Sequence, residues 1–92
     1  MRIIGEFDKG PIKITALQMN GKISIKFELN LLEQTYKFRD GSGIERLIDV
    51  ENFCDDELIN EVHRTFDTMS VSRLATLERM NSLSGTEFDI IL

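Results

Sequence analysis

The dipeptide Asn20-Gly21 constrains this chain more than any other feature in it. A type I′ turn needs a positive φ at both central residues, and Asn-Gly meets that need at little cost. On either side apolar and polar residues alternate, as in Ile12-Lys13-Ile14 and Lys22-Ile23-Ser24-Ile25-Lys26-Phe27. This is the period of a strand with one buried face. The turn sets the register, because directly opposed residues share a face. Gln18 then opposes Ile23, Ala16 opposes Ile25, and Ile14 opposes Phe27. Met19 with Lys22, Leu17 with Ser24, and Thr15 with Lys26 form the other face.

The flanking segments extend the pattern. A turn through Asp8-Lys9-Gly10-Pro11 places Pro11 where a strand begins without losing a ladder donor. It opposes Phe7 with Ile12, Gly5 with Ile14, and Ile3 with Ala16. A turn at Leu29-Asn30 opposes Phe27 with Leu32, Ile25 with Gln34, and Ile23 with Tyr36. All three hairpins put their apolar residues on one side, which predicts a four-stranded antiparallel β-meander over residues 1–40.

Asp40-Gly41-Ser42-Gly43 ends the sheet, and the period then changes to about 3.6. Leu58, Val62, Phe66 and Met69, widened by Ile59, predict a helix covering a core. Asp55, Asp56 and Glu57 lie in or just before its first turn, where the helix dipole favours them. Ser70 or Ser72 is read as the cap of a second helix carrying Val71, Leu74, Leu77 and Met80 inward. Residues 44–53 are read as a further short helix or turn, and Gly85 as a stop. Phe88 to Leu92 form an apolar tail, expected to dock as a fifth strand, over the open sheet face, or in a partner's groove. The predicted fold is α+β, with one sheet face covered by two or three C-terminal helices. It forms a single domain over 1–92, divided into a meander (1–40), a helical layer (44–84) and the tail (86–92).

Ninety-two residues leave room for one core, and 41% hydrophobic with 29% charged residues is a globular balance. Cys54 is the only cysteine, so no internal disulfide can form and nothing points to an oxidising compartment. The opening MRIIGEFDKG lacks the features of a secretory signal. No apolar run nears the ~18 residues of a membrane helix. A cytoplasmic protein with no membrane partner is expected. The net charge of −5 is unevenly placed. Residues 1–40 carry seven Lys/Arg against five Asp/Glu, and residues 41–92 carry four against eleven. Such asymmetry marks either an interaction surface or the preference of acids for helix N-termini.

Motifs that carry chemistry are weak here. Asp40-Gly41-Ser42-Gly43-Ile44 looks like the middle of a calcium loop. One alignment puts Phe38 at the first ligand position; the other puts Glu45 where glycine is needed. His63 has Asp67 four residues on, but no serine, lysine or second histidine at helical spacing to form a catalytic pair. One Cys and one His fall short of a zinc set. The acids from Glu45 to Glu61 splay around their helices, so few of them converge. Gly41-Ser42-Gly43 lacks the following lysine of a phosphate-binding loop. The chain is expected to have no catalytic residues, no metal and no cofactor.

The uncovered face of the predicted sheet carries Arg2, Lys13, Lys22, Lys26, Lys37 and Arg39 against Glu6, Glu28 and Glu33. Binding of single-stranded nucleic acid also needs aromatics there for stacking. Phe7, Phe27, Tyr36 and Phe38 point the other way, so no nucleic-acid partner is expected. Ile4, Leu17 and Met19 project from this face, and with Lys22 and Lys26 they form the candidate surface for a protein partner or a second copy, as in a homodimer. The function read from the residues is a small non-catalytic protein-binding, adaptor or regulatory domain. The alternative is a small-ligand-binding domain or enzyme subunit completed by oligomerisation, with Gln34, Tyr36 and His63 lining a pocket. Gln34 is polar among inward apolar neighbours and requires a hydrogen-bond partner.

Overall fold

The computed structural model describes residues 1–85. Four strands, β1 (Arg2–Lys9), β2 (Ile12–Met19), β3 (Lys22–Leu29) and β4 (Leu32–Arg39), form one antiparallel sheet in the order β1-β2-β3-β4. Two helices follow, α1 (Leu47–Phe53) and α2 (Asp56–Gly85). The architecture is an α+β meander.

Every strand has eight residues, and every hairpin closes through two. Asn20 (φ 54°) and Gly21 (φ 72°) make the type I′ turn their sequence requires. The β2–β3 register matches the expected one pair for pair, from Thr15 opposite Lys26 to Met19 opposite Lys22. The outer turns each sit one residue later than expected. Gly10 (φ 59°) and Pro11 occupy one turn, with glycine first as a type II′ turn demands. Asn30 (φ 50°) and Leu31 (φ 65°) occupy the other. Phe7 therefore opposes Ile14 rather than Ile12, and Phe27 opposes Gln34 rather than Leu32. Both corrections are slips of two residues, which leave each side chain on its expected face.

One correction does change faces. β1 carries a bulge between Ile3 and Gly5, so Ile3 opposes Leu17, Gly5 opposes Ala16, and Ile4 is the extra residue. Ile4 is half-buried against the core instead of lying on the open face, and Ile3 takes its place there. Arg2 moves with the shift to oppose Gln18, whose Oε1 accepts a hydrogen bond from Arg2 Nη2.

The core draws Ile12, Ile14, Ala16, Ile23, Ile25 and Phe27 from one side of the sheet. Val50 and Cys54, with Ile59, Val62 and Phe66, meet them from the helical segments. Leu47 of α1 packs directly over Gly5. Phe53, at the end of α1, meets Tyr36 and Phe38 edge-on, at centroid distances of 5.6 and 5.1 Å. Asp49 reaches back at the start of α1 and accepts hydrogen bonds from the backbone N–H of Arg46 (2.9 Å) and Glu45 (3.0 Å). Those two bonds hold its carboxyl below the usual range. Asp55 caps α2 by accepting from Leu58 N–H at 2.8 Å.

The helical layer departs most from expectation. In place of a break near Ser70, α2 runs unbroken for 30 residues. Nothing from Asp56 to Ser84 is glycine or proline, and serine inside a helix costs only a fraction of what either would. An eight-residue strand spans about 26 Å, whereas a 30-residue helix spans about 45 Å. Only part of α2 can lie over the sheet. Its contact with the core ends at Met69, the rest projects beyond, and the molecule's longest dimension reaches 54 Å. Val71, Leu74, Leu77 and Met80, expected to face inward, are exposed. The predicted tail, 86–92, lies outside the described residues.

Candidate interaction surfaces

Two surfaces stand out, and the first is the open face of the sheet. Its cross-strand rows run Ile3–Leu17–Ser24–Lys37, then Glu6–Thr15–Lys26–Thr35, then Asp8–Lys13–Glu28–Glu33. The middle row is less open than expected. Thr15 is only 5% exposed, beneath longer neighbours that include Lys13, whose Nζ lies 3.8 Å from Glu6 Oε1. The apolar group at one end consists of Ile3 and Met19, both exposed, around a half-buried Leu17. Lys22 adjoins Met19 directly across the strands, and the half-buried Lys26 lies beside Thr15. Of the five residues expected to form the partner surface, Leu17, Met19, Lys22 and Lys26 stand on this face. Ile4 does not, because of the bulge.

The second surface is the outer half of α2, which periodicity located but assigned to the interior. Val71 is 68% exposed, Leu74 59%, Leu77 48% and Met80 54%. They follow one another every three residues, so the row winds about 60° around the helix at each step and Val71 lies opposite Met80. Helix and sheet part at the β3–β4 turn, where Arg73 Nη2 reaches Asn30 O at 3.5 Å. Leu31 stands on the tip of that turn, 98% exposed and at positive φ. The first and last turns of the sheet and the root of the projecting helix therefore share one end of the sheet. A concavity of about 560 Å³ at that end runs from Pro11 and Lys13 to Leu31 and Glu33.

The residues with chemical potential are placed elsewhere. Cys54 is fully buried, and burial pushes its thiol up to about 11. At neutral pH it is a small apolar side chain rather than a nucleophile. His63 is half-buried on α2. Gln34 donates through Nε2 to Val62 O at 3.0 Å, so its partner is a carbonyl in the body of α2. Tyr36 packs edge-on to Phe27 and Phe53. Among the described residues no three His, Cys, Asp or Glu side chains gather where they could hold a metal ion. No helix among them is long and apolar enough to cross a membrane.

Comparison of the chain with protein-family models, with curated proteins and with solved structures finds no match in any of the three.

Proposed function

We propose that this protein is a non-catalytic interaction domain whose projecting half of α2 seats in an apolar groove on a partner protein. The observation that carries this reading is the exposure of Val71, Leu74, Leu77 and Met80 on a helix that has outrun its own sheet. A helical segment of this length is marginal in water by itself. Here it is held at one end by continuity with the packed half, which presents it preformed and lowers the ordering cost of docking. Leu74, Leu77 and Met80 span about 120° of the helix surface, a face that a groove can read, and Val71 stands beyond it.

The open sheet face supports a second contact, through Ile3, Leu17 and Met19 with the adjoining Lys22 and Lys26. Its favouring observation is that Ile3 and Met19 are each more than half exposed next to Leu17.

Side-by-side capture from a cell extract tests both. The intact chain is compared with the double variant Leu74→Lys/Leu77→Lys and with Leu17→Lys, each first shown to unfold at the wild-type temperature. A protein bound by the wild type, lost by the double variant and cross-linked within residues 70–82 supports the helix reading. Loss only with Leu17→Lys moves the contact to the sheet. Equal capture by all three removes both surfaces from consideration.

A further inference from the structure

β4 is an edge strand, and the direction of its backbone groups follows from the turn before it. Residues flanking a two-residue turn exchange both N–H···O bonds, and bonded and non-bonded pairs then alternate along the ladder. Leu29 and Leu32 flank the Asn30-Leu31 turn. Leu32, Gln34, Tyr36 and Phe38 therefore bond to β3, while the N–H and C=O groups of Glu33, Thr35, Lys37 and Arg39 point away from the sheet. Among the described residues no strand meets these groups, and all four side chains are exposed.

Natural edges are usually blunted by a bulge, a proline or repelling charge. β1 has its bulge. β4 has neither bulge nor proline, and its pairing with β3 is unbroken through all eight residues. Charge alone guards it, and that charge is sorted along the strand. Glu33 stands near one end and Lys37 and Arg39 near the other, all on the open face. A second β4 laid parallel would set Glu33 beside Glu33 and Arg39 beside Arg39. Laid antiparallel, it sets unlike charges together.

We infer that β4 pairs antiparallel with β4 of a second copy of this chain, about a two-fold axis at Tyr36, joining the two sheets into one. In this register Glu33 opposes Arg39 of the second copy, and Thr35 opposes its Lys37. The four outward residues of each strand satisfy one another in four hydrogen-bonded pairs. Tyr36 faces its own counterpart at a non-hydrogen-bonded site, where side chains approach most closely. Tyr36 is 39% exposed although it stands on the core side of the sheet, and the opposing ring covers that surface. The contact uses the same patch on both copies, so it closes as a dimer and does not propagate into a fibre. It goes beyond the proposed helix contact and shares no residue with it.

Sedimentation equilibrium on the full chain tests this, comparing wild type, Glu33→Arg, Arg39→Glu and the double variant Glu33→Arg/Arg39→Glu. Thermal unfolding by circular dichroism confirms that each is folded. The expected result is a wild-type dimer whose Kd rises about tenfold in either single variant, since each reversal acts at two symmetric pairs. The double variant, with the charges exchanged, recovers the wild-type Kd. A wild type that is monomeric at every loading concentration overturns the inference. So does a dimer that neither single variant weakens, or one that the double variant fails to restore. A dimer split by Leu77→Lys and untouched by the charge reversals also overturns it. That outcome moves self-association to α2 and leaves the helix as the binding element.

Discussion

A Cβ placed on Gly5 would lie 2.8 Å from Cδ1 and 3.0 Å from Cδ2 of Leu47. Gly5 stands next to the β1 bulge and Leu47 opens α1, so this contact is where the first helix comes down on the first strand. Gly5→Ala should destabilise the fold by less than about 1 kcal/mol, because the atoms in its way are the methyl ends of a half-buried leucine that can turn aside. Leu47→Ala, made in the same chain, should return part of the loss by vacating the space. Urea unfolding of the two single variants and the double variant measures the coupling. Additive effects would mean that the two residues do not meet.

Leu31 is strained and gains nothing from its position. Its φ of 65° is a conformation in which a side chain costs roughly 1–2 kcal/mol, and at 98% exposure it packs against nothing in compensation. Leu31→Gly creates the Asn-Gly pair suited to a type I′ turn. Part of the gain is offset by the freer unfolded chain. A net stabilisation of about 1 kcal/mol in chemical denaturation is expected. A loss instead would show that the leucine serves the folded monomer.

The two halves of α2 should respond oppositely to truncation. Phe66 is 2% exposed in the core cluster, and Phe66→Ala should cost about 3 kcal/mol or more. Leu74→Ala, in the projecting half, should change stability by less than about 0.5 kcal/mol. Amide hydrogen exchange should divide at the same place, with strong protection through Met69 and weak protection beyond Ser72. Equal protection along the whole helix in the monomer would contradict the projecting geometry.

Cys54 predicts an alkaline limb of stability. Its thiol is raised from 9.0 to about 11, first by burial, with smaller opposing effects of Lys9 and Asp55. The folded state thus holds its proton more tightly than the unfolded chain. The stabilisation is complete below pH 9, declines as pH rises, and is lost by about pH 11, on the order of 3 kcal/mol in all. Cys54→Ala should flatten this decline in melts taken from pH 8 to 11. In the wild type at pH 7.5, a thiol reagent should react only as fast as the protein opens.

Legibility in the sequence followed the strength of local chemistry. Asn20-Gly21 dictates its own turn, so every pair between β2 and β3 could be written down beforehand. The outer hairpins slipped by two residues because their turns are less explicit. Nothing marks Leu31 as a residue that will accept a positive φ. Faces survived the slips because the strand period is two. They did not survive the bulge, whose one local sign is the isolated Gly5 within the strand, and so Ile4 left the candidate surface and Ile3 entered it.

By itself, then, the sequence determined the meander, the sidedness of the sheet and the existence of an apolar stripe along residues 58–80. What the stripe faces was decided only in three dimensions. Periodicity reports that one side of a helix is apolar, and it says nothing about how far the opposing surface extends. Eight-residue strands meet α2 only as far as Met69, and with no glycine or proline to turn the chain back, the helix continues. The side chains of Leu74, Leu77 and Met80 are therefore left in solvent because a helix that rises 1.5 Å per residue outran strands of fixed length, whereas Val71 stands on the side of the helix opposite Val62.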